Sequence, residues 1–187
     1  LHDGDLGHTL IFGPTGSGKS TLLATIAAQF LRYEQGRIFA FDKGNSLFPL
    51  CSATGGDHYE IGAENSLCFT PLQRINEGST EMAWAETWIE SLLELQGLTV
   101  LPAHREAIHQ AMTGLATQPE HMRTLSHFMD TVQDLTLRQA LAWYTQRGAM
   151  GDLLDARTDA LGSSRFVVFE MEELMKKGDR NLIPVLS

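Results

Sequence analysis

The feature that most constrains the fold of this chain is a glycine-rich segment at residues 13–20, which matches the pattern G-x-x-x-x-G-K-[ST] in full. A short apolar run at residues 9–12 precedes it and predicts a buried strand. An amphipathic pattern at residues 19–32 follows it and predicts a helix. The sequence therefore predicts a phosphate-binding loop (P-loop) between a strand and a helix. The alternative is a glycine-rich turn that binds nothing.

The P-loop pattern assigns a role to several side chains. Its glycines let the backbone turn tightly and direct N–H groups inward, and the next helix adds further donors for phosphate. Lys19 is expected to reach the β- and γ-phosphates, Ser20 to bind Mg²⁺, and Thr21 to lie near the α-phosphate. No N-K-x-D motif of guanine-binding proteins is present, which favours ATP over GTP. The predicted nucleotide-binding residues are Gly13, Pro14, Thr15, Gly16, Ser17, Gly18, Lys19, Ser20 and Thr21.

The rest of the chain predicts an α/β protein with a helical insertion. A second apolar strand at residues 37–41 completes a strand–helix–strand unit, whose two strands are expected to be parallel. Four amphipathic patterns follow between residues 80 and 160, and an apolar strand returns at residues 165–169. We therefore expect three segments: a nucleotide-binding core at 1–78, a helical insertion at 79–162 and a return to the core at 163–187.

Two acidic residues are candidates for the catalytic chemistry. ATP hydrolysis needs a carboxylate that holds Mg²⁺ and a group that orients the attacking water. Asp42 and Glu170 each end an apolar strand, which is a common place for such groups, but neither forms an Asp-Glu pair. The alternative, which we favour, is an acidic residue that ends a strand beside a loop and has no catalytic role.

Composition excludes several classes of function. The formal net charge is −9 and the Lys and Arg residues are scattered, which argues against broad binding to nucleic-acid phosphates. No apolar run is long enough to span a bilayer, and Cys51 and Cys68 form no zinc pattern.

The sequence lacks an initiator Met and ends in what resembles the start of an apolar helix. We therefore expect it to be a piece of a longer protein.

Several segments together resemble the TrbE/CagE family, the large ATPases of conjugation and type IV secretion systems. The resemblance is strongest in GHTLIFGPTGSGKS at 7–20, IFAFDKG at 38–44, GGDHY at 55–59, FEMEEL at 169–174 and IPVL at 183–186. It is weaker across the helical patterns. The P-loop is shared by many ATPases, and its combination with the other segments is more specific.

The resemblance implies an ATPase with an incomplete RecA-like core, which uses ATP and Mg²⁺ to drive secretion or conjugal transfer. In such ATPases an Asp-Glu pair lies on a strand after the segment that matches FEMEEL, beyond this chain. That placement weakens the case for Asp42 and Glu170 and implies that the isolated piece hydrolyses ATP poorly. The resemblance further implies a homo-oligomer that binds other secretion subunits and, through them, the cytoplasmic face of the inner membrane. Two alternatives stay open: a DNA-translocating ATPase of the coupling-protein or FtsK-like kind, for which direct contact with nucleic acid is undecided, and a nucleotide-gated assembly module with little turnover.

Overall fold

A computed structural model describes residues 7–62 and 67–187 as an α/β protein with a small sheet and many helices. The chain divides into two compact units. Unit 1 comprises Leu1–Tyr59 and Ser163–Glu170, and unit 2 comprises Glu60–Gly162 and Met171–Ser187. The unit boundaries differ from the expected segment boundaries at 78 and 162, and the predicted domain organisation stays a prediction.

The sheet has three strands, β1 (Ile38–Asp42), β2 (Asp57–Glu60) and β3 (Phe166–Glu170), in the order β1-β3-β2. β1 and β3 are parallel, with their first residues paired and their last residues, Asp42 and Glu170, paired. All five residues of β3 are buried, as expected of a continuous apolar run in the centre of a sheet.

Unit 1 also contains helices α1 (Lys19–Phe30) and α2 (Phe48–Thr54). Its core is a cluster of Leu47, Cys51, Phe166 and Val168, and Ala24 of α1 and the following Leu31 pack against it. Gly56 passes close to β3, since a Cβ there would lie 2.5 Å from the carbonyl oxygen of Phe166. A larger residue at position 56 would therefore push β3 away from this segment.

The predicted strand at residues 9–12 is wrong. These residues form no strand, and the side chains of Leu10 and Phe12 are 80% and 84% exposed. A strand exists only where its backbone pairs with a neighbour, and the described strands pair among themselves. The apolar run before the P-loop thus has no ladder partner among the described residues of unit 1. The helix after the P-loop is confirmed, although it ends at Phe30 rather than at residue 32.

The regular secondary structure in the described part of unit 2 is helical, except for Glu60, the last residue of β2. The α-helices are α3 (Ser79–Leu95), α4 (Pro102–Ala116), α5 (Leu125–Thr131), α6 (Leu135–Leu141), α7 (Gly151–Leu154), α8 (Glu172–Lys176) and α9 (Asp179–Leu186). Short 3-10 helices occupy Glu120–Met122 and Ala142–Tyr144. Within the described ranges, no helix is both long enough and apolar enough to cross a membrane.

Aromatic side chains fix α9 to the other helices of unit 2. The buried indole of Trp88 donates to the carbonyl oxygen of Pro184 at 3.0 Å, and the indole of Trp143 donates to the side chain of Asn181 at 3.1 Å. The Tyr144 hydroxyl donates to the carbonyl oxygen of Arg180. Trp88 and Tyr144 thus bury their rings in this core, and the polar atoms of all three aromatic side chains bind groups of α9.

Candidate nucleotide-binding site

The P-loop has the backbone geometry that its glycines predict. Gly16 and Gly18 adopt φ values of 81° and 83°, in the left-handed region that favours glycine. Gly18 is the N-cap of α1, so no side chain caps this helix. The first turn of α1 also contains no acidic residue. Its N–H groups therefore remain available to an anion, and the helix dipole favours negative charge at this end.

Lys19 lies folded back over the P-loop. Its Nζ donates to the carbonyl oxygens of Gly13 at 2.7 Å and Pro14 at 2.8 Å, while the N–H of Ser17 closes a turn onto Pro14 at 3.2 Å. An ammonium group has three donor hydrogens, so a phosphate oxygen can be its third partner. The loop also leaves little room at its start, because a Cβ on Gly13 would lie 2.7 Å from Ser17 Oγ. These residues fit a phosphate chain.

Ser20 and Thr21 lie exposed in the first turn of α1. The Ser20 hydroxyl oxygen is a hard donor of the kind Mg²⁺ takes, with phosphate oxygens and waters completing its coordination. Residues 7–62 and 67–187 hold no group of three or more His, Cys, Asp or Glu arranged for a metal ion. A magnesium ion at this site would therefore depend mainly on the nucleotide that brings it.

The two catalytic candidates lie together at the carboxyl ends of β1 and β3. The Asp42 carboxylate accepts hydrogen bonds from the N–H of Lys43 at 2.9 Å, the hydroxyl of Ser46 at 2.7 Å and the N–H of Leu47 at 2.7 Å. The Glu170 carboxylate, only 4% exposed, accepts from the N–H of Gly44 at 3.0 Å and of Asn45 at 2.6 Å.

Both carboxylates therefore organise the loop that follows β1. This loop, residues 42–47, needs such support because Gly44 and Asn45 both have positive φ values, 84° and 57°. The left-handed conformation is unfavourable for a residue other than glycine, although asparagine tolerates it better than most. Sequence reasoning found the two acids but missed their shared role. The signal was present in the Gly44-Asn45 pair, which is typical of a tight turn whose N–H groups point to one side.

Contacts at the end of α1 indicate which edge of the sheet the P-loop faces. Arg165, just before β3, donates to the carbonyl oxygens of Leu31, Tyr33 and Gly36, which places the end of α1 at the amino edge. The 12 residues of α1 span about 18 Å, close to the length of a five-residue strand, about 16 Å. Ala24, in the middle of α1, also packs on the core of unit 1, so we infer that α1 runs back along the sheet and brings its first turn toward the carboxyl edge.

Comparisons with known proteins agree with one another. The chain is 54% identical over its whole length to a probable conjugal transfer protein TrbE of Sinorhizobium fredii and 49% identical to the conjugal transfer protein TrbE of Rhizobium radiobacter. It is 27% identical, over 94% of its length, to the type IV secretion system protein VirB4 of Bartonella henselae. No family model matches.

The solved structure of VirB4 from Thermoanaerobacter pseudethanolicus matches 93% of this chain and 53% of that one, with a TM-score of 0.64 and 16% identity, which shows a shared fold. The chain spans 28% and 23% of the lengths of the two TrbE relatives. The chain belongs to the TrbE/VirB4 family and corresponds to one segment of those proteins.

Proposed function

We propose that this member of the TrbE/VirB4 family binds ATP with Mg²⁺ and forms the nucleotide-binding part of an ATPase motor for type IV secretion or conjugal transfer. The observation that carries the proposal is the P-loop. Its helix N-terminus is uncapped, its glycines are left-handed, and Lys19 is held over the loop with a donor to spare. The names of the relatives supply the conjugation and secretion context.

The proposed site consists of residues 13–21. Loop amides and the first turn of α1 surround the α- and β-phosphates, Lys19 neutralises the β- and γ-phosphates, and Ser20 contributes one oxygen to Mg²⁺. A bound Mg²⁺ would neutralise charge on the phosphates. The fold we propose for the whole motor domain is a RecA-like P-loop core that carries a helical insertion. The fold shared with VirB4 and the parallel pairing of β1 and β3 support it.

We propose slow hydrolysis for the isolated chain. Asp42 and Glu170 both accept hydrogen bonds from loop N–H groups, which supports a structural role for them and the placement of the water-activating group elsewhere. This engagement also supports a second candidate function, a nucleotide-gated assembly module that binds ATP with little turnover. Other secretion subunits as partners, a homo-oligomer and a position at the cytoplasmic face of the inner membrane are proposals that rest on the family context.

Calorimetric titration of the 187-residue chain with ATP and Mg²⁺ tests the binding proposal. Lys19→Ala should weaken ATP binding by about tenfold or more, because it removes a charged hydrogen bond to phosphate. Lys176→Ala, an exposed lysine paired with Glu172 and Glu173, is the matched control and should bind as the unmodified chain does. Equal affinities for both variants would refute the P-loop assignment. Phosphate release by the unmodified chain, measured in parallel, should stay near background.

A further inference from the structure

We propose that Lys43 contacts the terminal phosphate of the bound nucleotide, and that Asp42 and Glu170 are positioning residues that hold the loop carrying it. This inference rests on the proposed function and adds the loop at residues 42–47 to the same site. It gives a role to two carboxylates that accept hydrogen bonds from the loop after β1, and to a lysine outside the P-loop motif.

Position is the first argument. Lys43 follows the last residue of β1, so it lies at the carboxyl edge of the sheet, the edge toward which we infer that the first turn of α1 points. The end of its loop, Leu47, belongs to the core cluster against which Ala24 of α1 packs. Ala24 is five residues after Lys19, about 7.5 Å along the helix axis. In open parallel sheets ligands bind at the carboxyl edge.

Charge is the second argument. The described residues of unit 1 contain five Lys and Arg side chains, and a nucleoside triphosphate needs several positive partners in a chain of net charge −9. Arg165 is engaged at the amino edge, and Arg32 and Arg37 lie between the end of α1 and the start of β1, at that same edge. Of the five Lys and Arg side chains in the described part of this unit, three thus lie at the amino edge, and Lys19 and Lys43 remain for the carboxyl edge.

Availability is the third argument. Lys43 is exposed, and its ammonium has no hydrogen bond or ion pair to residues 7–62 or 67–187. The backbone beneath it is held in contrast by five donors that converge on two carboxylates. These donors are the N–H groups of Lys43, Gly44, Asn45 and Leu47 and the hydroxyl of Ser46. The backbone that carries this cation is thus already fixed, so an anion that binds Lys43 has to order only its side chain and not the loop.

The terminal phosphate is the part of the nucleotide that Lys43 fits. The P-loop amides would hold the α- and β-phosphates, which would leave the γ-phosphate for residues that follow neighbouring strands. A lysine contact there would be made by ATP and missed by ADP. The proposal therefore predicts a change in the preference for ATP over ADP, which a purely structural role for the loop would not produce.

The test is a double-mutant cycle on the full chain, with ATP and ADP titrated separately in the presence of Mg²⁺. Lys43→Ala should weaken ATP binding about tenfold and leave ADP binding nearly unchanged, and Lys43→Arg should restore most of the affinity for ATP. Glu170→Gln replaces one acceptor oxygen by a donor that faces a loop N–H, so it should also weaken ATP binding selectively. Because Glu170 acts through Lys43, the double variant should bind ATP no more weakly than Lys43→Ala alone.

Each other outcome counts against the proposal. Unchanged ATP affinity in Lys43→Ala, or equal losses for ATP and ADP, would exclude the contact with the terminal phosphate. Additive losses in the double variant would show that Glu170 does not act through Lys43 and would exclude positioning. Measurable turnover that collapses in Glu170→Gln while ATP affinity is kept would make Glu170 a catalytic residue. If Glu170→Gln does not fold, Asp42→Asn tests the same step from the other side of the loop.

Lys19→Ala separates this inference from the proposed function. Loss of ATP binding in Lys19→Ala together with normal ATP and ADP binding in Lys43→Ala refutes the role of Lys43 alone. ATP binding that is absent in the unmodified chain, or unaffected by Lys19→Ala, refutes both. Lys176→Ala again serves as the control for loss of one exposed positive charge.

Discussion

Replacing Asp155 by alanine should destabilise unit 2 by about 2–4 kcal/mol. The side chain is 1% exposed, and its carboxylate accepts hydrogen bonds from the N–H groups of Ser126 and Gln146, both at 2.9 Å, and from the Ser126 hydroxyl. Alanine would leave these three donors without their acceptor. A buried donor left unsatisfied costs about 1–3 kcal/mol, but Gln146 is exposed, so water can replace part of the loss.

The position of Asp155 adds an electrostatic contribution. Ser126 lies in the first turn of α5, so the carboxylate also faces the positive end of that helix. Asp155→Asn keeps the shape and one acceptor oxygen but loses the charge and turns an amide donor toward a backbone N–H. We expect it to cost about 1–2 kcal/mol, less than the alanine variant.

Urea unfolding followed by tryptophan fluorescence measures these effects, because Trp84, Trp88 and Trp143 all belong to unit 2 and are the three tryptophans of the chain. Extrapolation of the unfolding free energy to water gives the comparison. Asp130→Ala, an exposed aspartate of α5, should change stability by no more than about 0.5 kcal/mol. A free energy for Asp155→Ala within that margin would show that the buried carboxylate does not hold these segments together.

Two further predictions concern unit 1. Gly18→Ala places a Cβ on a residue with a φ of 83°, which should lower the free energy of unfolding by about 1–2 kcal/mol and also weaken ATP binding. Thermal unfolding measures the first effect and calorimetry the second. An unchanged unfolding free energy and an unchanged ATP affinity would contradict the left-handed geometry of the loop. Burial, with a smaller effect of Asp57, raises the pKa of the Cys51 thiol, so iodoacetamide should label Cys68 before Cys51 as pH rises through about 8.5. The neutral Cys51 thiol contributes to folding stability below its ordinary pKa, and this contribution is lost as pH rises through the raised pKa. Peptide mass spectrometry measures the labelling, and equal labelling of both cysteines would contradict the burial argument.

The helices of unit 2 were the most predictable part of the fold, because their signals are local. Pro102, a residue type favoured in a first helical turn, is the first residue of α4, and Thr124 caps α5 by accepting the N–H of His127 at 3.3 Å. The next helix, α6, has Asp134 as its N-cap, which accepts from the N–H groups of residues 136 and 137, although Thr136 is also a residue type that caps helices. Either residue type can cap a helix, so sequence alone did not decide between them.

The P-loop shows the limit of local reasoning. Its glycine geometry and the helix after it follow from the sequence of a dozen residues, and both are present. The strand expected before it depends on a partner elsewhere in the chain, which the described strands do not supply. The apolar character of residues 9–12 predicts burial, but burial also requires another segment that packs against them. The sequence of residues 9–12 does not show whether such a segment exists.

The same limit explains why Asp42 and Glu170 were ambiguous. An acid at the end of an apolar strand fits a metal ligand, a general base or a support for the next loop equally well. The parallel register of β1 and β3 pairs the two acids, and two like charges side by side need hydrogen-bond donors around them. Five donors from one loop bind the two carboxylates, which favours a supporting role, and a catalytic role for either acid stays a prediction. A partner for a terminal phosphate besides Lys19 and Mg²⁺ is then best sought on the loop that the two acids hold, at Lys43. The group that activates water is best sought outside this pair of acids.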